Sequence, residues 1–298
     1  MSPSDMPTPE LWRSVVWTRG SGCRDLAALL ADGEAVPVDD DLRSACIAER
    51  ARLLVARKLT SFDLVSAAVP VDFAAAAVAG VVAAVGPGPH SALAALVAQR
   101  LADSIGIPGS LVSASPAPDQ DEAVEATLAE IAALVPDLPA KIVRASSARL
   151  LVGTFPPGTL LVVGAPGGSW LQRQFFGPGR KLIVGSQGGA VVVRAAPVRC
   201  FQEMLEPDAL GAGLLVREAR RLLQGDAAPV VADGRLVGVV RRSALLEAFP
   251  EDSIGSIAED PVFVSEEDPV EAALEVAAFV RPVPVVDGSG RLTGVMPG

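Results

Sequence analysis

The chain has 298 residues, half of them apolar, with no Tyr, one His and a formal net charge of -10. That length allows two or three domains, and a pI near 4.7 argues against a broad nucleic-acid surface, which needs clustered positive charge. Cys23, Cys46 and Cys200 lie far apart and only His90 could join them, so no Cys/His metal site assembles.

The cysteines read as small buried hydrophobes, with the reducing cytoplasm as the expected compartment. MSPSDMPTPE at the start lacks the basic and apolar regions of a signal peptide. Residues 11–78 are the least legible. SVVWTR suggests a short strand, and LRSACIAERARLLVARKL has a helical composition. The apolar run from Val71 to Gly86 holds about 14 apolar or glycine residues after Asp72, short of the ~20 that span a bilayer. It divides into a small helix and a strand, so no membrane insertion is expected.

From residue 79 the pattern sharpens. AGVVAAVG is a strand, GPGPHS a loop, and SALAALVAQRLADSIG an amphipathic helix. GSLVSAS is the next strand, and DEAVEATLAEIAALV a helix whose acidic start suits its dipole. AKIVRAS, TLLVVG and GGAVVVRAAP supply three more strands. Alternation of helices with nearly all-apolar strands predicts a parallel sheet covered on both faces. Between the last two strands lies GAPGGSWLQRQFFGPG, a glycine loop that leads into a helical run.

After Val198 an internal repeat appears. APVVADGRLVGVV (228–240) matches VPVVDGSGRLTGVM (283–296), which aligns Gly238 with Gly294. A helix precedes each strand pair, LLVREARRLL in the first copy and DPVEAALEVAAF in the second. FQEMLEPDAL and IGSIAEDPVFV match more loosely ahead of those helices. Each unit is too small to bury a good core alone, so the two should pack face to face.

Two families are resembled. Residues 79–196 resemble the universal stress protein domain, through Gly164, Gly167 and Gly177 at its G-x2-G-x9-G spacing. Residues 200–298 resemble a tandem of cystathionine-β-synthase-type (CBS) domains, a Bateman module, through strand–DG–RLVG–VV. The resemblance implies an α/β fold. Its first part is a parallel five-stranded stress-protein-like sheet with flanking helices (79–198), and its second a pair of CBS β-α-β-β-α repeats (199–298) with the second copy truncated. Residues 1–78 form a separate segment, read as a degenerate CBS-like copy, as a segment that completes the truncated C-terminal copy, or as an amphipathic helix leading into the sheet domain.

In the stress-protein half the implied nucleotide site has Gly86 and Gly88 after the first strand, and Val163, Gly164, Gly167, Gly168 and Gly177 at the glycine loop. Glycines let the backbone turn its N–H groups toward phosphates, and Arg180 adds charge with Arg173 and Lys181. Pro178 replaces the family's Ser/Thr and lacks both hydroxyl and N–H. The first strand ends in Val85-Gly86, where ATP-binding relatives place an Asp. In the CBS half an adenosyl ligand would lie in the cleft around Val230, Val239 and Val285, with Arg241 and Arg242 meeting its phosphates. There Ala244 replaces the family's ribose-binding Asp.

No Ser/His/Asp set or aimed carboxylate pair argues for catalysis. The expected protein is a regulatory, stress-related sensor that binds an adenine nucleotide (ATP or AMP) or another adenosyl metabolite and signals by domain rearrangement. A homodimer is the default, with GAVVVRAAP available to pair at a sheet edge. Two alternatives stay open: a ligand-free dimerisation scaffold or transporter regulator with a protein partner, and a weak ATPase.

Overall fold

A computed structural model describes residues 10–39, 41–59, 62–146, 148–165 and 188–297. The chain divides into two compact units, Met1–Ala196 and Pro197–Gly298.

The first unit is built on one nine-stranded sheet. Its strands are β1 (Val15–Thr18), β2 (Val36–Val38), β3 (Leu53–Val55), β4 (Ser66–Val71), β5 (Gly80–Ala84), β6 (Gly109–Ser115), β7 (Ala140–Arg144), β8 (Thr159–Gly164) and β9 (Ala190–Arg194). The order across the sheet is β2-β1-β3-β4-β9-β8-β5-β6-β7. The five strands read from residue 79 onward are parallel to one another. The sheet does not stop at five, however. Residues 15–71 add a second parallel block, joined through the antiparallel pair β4–β9. β9 therefore has a neighbour on each side. The edge expected for GAVVVRAAP does not exist, because β4 occupies it.

Among the described residues five helices connect these strands: α1 (Cys23–Leu30), α2 (Leu42–Ala48), α3 (Pro89–Ile105), α4 (Asp121–Ala132) and α5 (Ala148–Val152). In α3, Pro89 opens the helix at a position whose N–H has no intrahelical partner. Gly106 ends it in the left-handed conformation, its N–H bonded to the Ala102 carbonyl. Alternate strand residues divide between two cores. Val81, Ala83, Leu111, Leu160, Val162 and Val191 pack with α1, α3 and α4. Val82, Ala84, Val112, Leu161, Val163 and Val192 pack on the other face with Leu151 of α5. The three cysteines are buried, as expected, and burial pushes the Cys46 and Cys200 thiols up to about 12.

The second unit holds two copies of one plan. α6 (Cys200–Glu203) leads into β10 (Leu210–Gly211), α7 (Val216–Leu222), β11 (Ala227–Ala232), β12 (Arg235–Arg241) and α8 (Arg242–Glu247). The second copy has β13 (Val264–Ser265), α9 (Val270–Val276), β14 (Val283–Val286) and β15 (Leu292–Met296). Each forms a three-stranded sheet with one parallel and one antiparallel pair. The repeats exchange their leading segments. Leu205, ahead of the first copy, pairs with Val295 of the second; Glu259, ahead of the second, pairs with Val239 of the first.

The repeated glycine permits that exchange. A Cβ on Gly238 would stand 2.7 Å from the Ala258 Cβ and 2.8 Å from the Glu259 carbonyl oxygen. On Gly294 it would stand 2.9 Å from the Leu205 carbonyl oxygen. Gly238→Ala is expected to destabilise the second unit by about 1–3 kcal/mol, the usual cost of overpacking; urea unfolding checks this. In the first unit, Gly189 has φ +78 and a Cβ there would meet the Asp72 carbonyl oxygen. Gly189→Ala should therefore cost about 2 kcal/mol or more, read in the same way.

Candidate functional sites

In the first unit the chain order reverses between β5 and β8, which are hydrogen-bonded neighbours with Ala84 opposite Val163. Crevices beyond the carboxyl ends of strands at such a reversal are the usual ligand sites of open α/β sheets. A cavity of about 280 Å³ opens at the adjoining ends of β5 and β6, against α4. Gly86, Pro87, Ser113, Pro116, Gln120 and Thr127 are among its walls, and among the described residues no charged side chain lines it.

Its hydroxyls are already donating. Ser113 Oγ donates to the Val85 carbonyl (3.0 Å) and Thr127 Oγ1 to the Ala123 carbonyl (3.0 Å). The Gly86 N–H donates to Ser91 Oγ (3.0 Å), and Gly88 stands exposed at the mouth of α3. Beside the cavity, Arg144 donates to Ser115 Oγ (2.9 Å) and to Asp121 (2.7 Å), and Ser115 donates to Asp121. These bonds fix the turn from β6 into α4, and the Arg144 hydrogen bond holds Asp121 below the usual carboxylate range.

Val163 is buried inside β8 and Gly164 ends it. Gly167, Gly168, Gly177 and Arg180 lie outside the described residues, as do Arg173, Pro178 and Lys181. His90 is drawn inward: its Nδ1 accepts the Ala195 N–H at 3.1 Å.

In the second unit a cavity of about 460 Å³ takes walls from both repeats. Asp208, Ala209, Leu222, Gly225 and Ala228 come from the first and Pro282 from the second. The sequence points to a cleft around Val230, Val239 and Val285. The structure buries those three within β11, β12 and β14, and this cavity lies at the start of β11.

The two arginines are engaged by the protein itself. Arg241 Nε donates to both Glu259 carboxylate oxygens (3.1 and 3.0 Å), and another of its nitrogens to the Phe279 carbonyl (2.9 Å). Arg242 donates to the carbonyls of Leu223 (3.0 Å) and Gly225 (3.1 and 2.8 Å). Leu223 and Gly225 both line the cavity, so Arg242 frames its rim. Sequence reasoning missed Asp208 and Pro282 as wall residues. It also missed Arg220, which ties α7 to α8 through the Leu245 and Ala248 carbonyls.

Among the described residues no group of three His, Cys, Asp or Glu side chains is placed to hold a metal, and no helix is long and apolar enough to cross a membrane.

The CBS domain family matches residues 206–251 and 254–296. Among solved structures, a CBS domain pair/ACT domain protein from Thermotoga maritima is 26% identical. The match covers 33% of this chain and 88% of that one, with a TM-score of 0.31. The cytosolic domain of the Mg2+ channel MgtE, solved in complex with ATP, is 28% identical over 33% of this chain and 45% of its own, with a TM-score of 0.30. A CBS domain protein from Pyrobaculum aerophilum, complexed with AMP, is 28% identical over 31% of this chain and 81% of its own, with a TM-score of 0.29. No curated protein matches the chain. The C-terminal unit carries a tandem CBS, or Bateman, module, and such modules are regulatory, non-catalytic domains.

His90 gives a test of the first unit. Burial, and then the nearby Arg194 guanidinium, holds its pKa below the ordinary value of 6.5. The unfolded chain therefore takes up the proton first as pH falls. This contribution to stability is whole above 6.5 and is lost as pH drops from there through the lowered folded value. His90→Gln should flatten the pH dependence of unfolding free energy just below 6.5, measured by urea titrations at closely spaced pH.

Proposed function

We propose that the chain is a regulatory sensor whose CBS pair takes an adenosyl ligand, such as ATP, AMP or a related metabolite. The observation that carries this reading is the cavity of about 460 Å³ walled by both repeats. Its volume falls in the range of small-molecule sites, roughly 300–1,000 Å³. Leu210, Leu222, Leu223 and Pro282 offer apolar surface for a base, and the Asp208 carboxylate offers an acceptor for ribose hydroxyls. A ligand that touches both repeats favours the arrangement in which both walls contact it, and so shifts the populations of domain arrangements. The module acts in this reading as a homodimer.

The first unit is proposed to be stress-protein-like over residues 79–198, with a second nucleotide site at the β5–β8 reversal. Support comes from the parallel order β7-β6-β5-β8-β9 and from the cavity beside Gly86. The scaffold reading draws on one specific observation: Arg241 and Arg242 already hold internal partners.

Isothermal calorimetry with ATP, ADP, AMP and S-adenosylmethionine separates the two. Saturable binding of at least one is expected. Ala209→Trp, which fills the CBS cavity, should remove the binding that belongs to that cavity and leave only what sites outside it, the first unit's among them, contribute, with the melting temperature of the free protein little changed. Absence of binding to all four would leave the scaffold.

A further inference from the structure

The hairpin turns of the two CBS repeats meet each other. Arg235 opens β12 and Arg291 stands just ahead of β15, and the two form an antiparallel bridge from one repeat to the other. The Leu236 N–H donates to the Gly290 carbonyl (3.1 Å) and the Leu292 N–H to the Gly234 carbonyl (3.0 Å). These bonds flank the bridge and do not join its two residues. It is therefore the narrow kind of antiparallel pair, with Cα atoms about 4.5 Å apart and side chains on one face. Like charges set directly opposite in this way destabilise a sheet.

Each arginine lies across the turn of the other repeat. A Cβ on Gly234 would stand 3.0 Å from Arg291 Nη2, and one on Gly290 would stand 3.2 Å from Arg235 Nη2. Both glycines have left-handed backbones (φ +78 and +80), so the turn itself excludes the side chain that would displace the guanidinium. Strand rise and spacing put these glycines roughly 8 Å apart, on opposite diagonals of the pair. Arg235 and Arg291 are exposed, and neither closes an ion pair among the described residues. Asp287 feels the Arg291 charge, but its Oδ1 accepts from the Ser289 N–H (2.8 Å), the Ser289 hydroxyl (2.7 Å) and the Arg291 backbone N–H (2.9 Å). Asp233, the acidic residue of the first turn, is exposed and likewise outside any described ion pair.

We propose that Arg235 and Arg291 form an anion site at the meeting of the two turns, one that takes the phosphate chain of a polyphosphorylated small molecule. An anion between the guanidiniums relieves the repulsion that the bridge imposes on them. The planar fork of each guanidinium matches phosphate oxygens two at a time. An extended triphosphate carries charge at both ends and can accept from one arginine at each, whereas a single phosphate reaches one of the two diagonals at a time. The net charge of -10 repels anions at long range, so affinity depends on these two local contacts. The site is distinct from the cavity at the start of β11, because the turns lie past the other end of that strand. It rests neither on an adenosyl ligand in that cavity nor on a dimer.

Calorimetry of the full chain with sodium tripolyphosphate, which carries no nucleoside, tests it at low ionic strength. One saturable site per chain is expected, weakening as salt is raised. Arg235→Gln and Arg291→Gln should each weaken it about tenfold or more, and the double variant should lose it. Arg235→Lys/Arg291→Lys, which keeps both charges without the forks, should weaken it less than the double glutamine variant does. Orthophosphate and citrate should each bind about tenfold more weakly than tripolyphosphate, or worse. Melting temperatures of the free variants at or above the wild type show that they fold, since removing a charge relieves the repulsion. No saturable binding, undiminished binding by either glutamine variant, or equal binding of orthophosphate or citrate overturns the proposal. So does loss of tripolyphosphate binding in Ala209→Trp, which would place the phosphates in the cavity. AMP and S-adenosylmethionine carry no phosphate chain and report on the adenosyl reading alone, so either idea can fail without the other.

Discussion

The antiparallel pairing of β4 with β9 is the constraint on which the first unit depends. It runs from Ala67 opposite Arg194 to Val71 opposite Ala190. Without it the sheet would be two parallel blocks, each with an open, apolar edge strand, and such edges invite pairing with other chains. Both ends of the pairing are secured. At one end Gly189 adopts a left-handed backbone against the Asp72 carbonyl. At the other, Ser66 Oγ accepts the Ala196 N–H (3.1 Å) and His90 accepts the Ala195 N–H. The last N–H groups of the unit are therefore held by side chains from β4 and α3. The pairing also has a consequence for assembly. It closes the edge that β9 would otherwise present and leaves β2 and β7 as the edge strands of the sheet.

An analogous economy of edges governs that unit. Two three-stranded sheets have little core each, and the main cluster of the first copy draws on Ile254, which lies ahead of the second. Each leading segment crosses to the other copy, so neither repeat is complete without its neighbour. The price is a backbone approach too close for any side chain, which is why the same strand position is glycine in both copies. Arg241 reinforces the crossing, because its partners Glu259 and Phe279 belong to the second copy's span while its own strand belongs to the first. That ion pair is about half exposed and contributes little by itself.

The repeat was legible because it is local. The Asp233-Gly234 turn has positive φ at both residues, the demand of a two-residue hairpin turn that Asp-Gly meets best. The strands from residue 79 were legible because they are long and nearly all apolar. The block before them was not. β2 and β3 have three residues each, too few to show a period, and Pro37 sits within one of them. Nothing near Ser66–Val71 indicates that its partner lies beyond residue 189. The arginines were misleading for another reason. A basic pair beside a predicted cleft reads as phosphate-binding, but Arg242 is satisfied by backbone carbonyls, and carbonyls leave no trace in sequence.

That distinction bears on what the CBS cavity can recognise. Its walls offer one carboxylate, several leucines and a proline, and the Arg242 guanidinium is turned toward the rim carbonyls of Leu223 and Gly225. The exposed Arg242 guanidinium already donates three hydrogen bonds to two backbone carbonyls and loses them if it swings to a phosphate. Recognition of a base and ribose costs the protein no such exchange. For the proposed adenosyl ligand, the part best matched to this cavity would therefore be its nucleoside, with discrimination among phosphorylated forms left to groups other than Arg241 and Arg242.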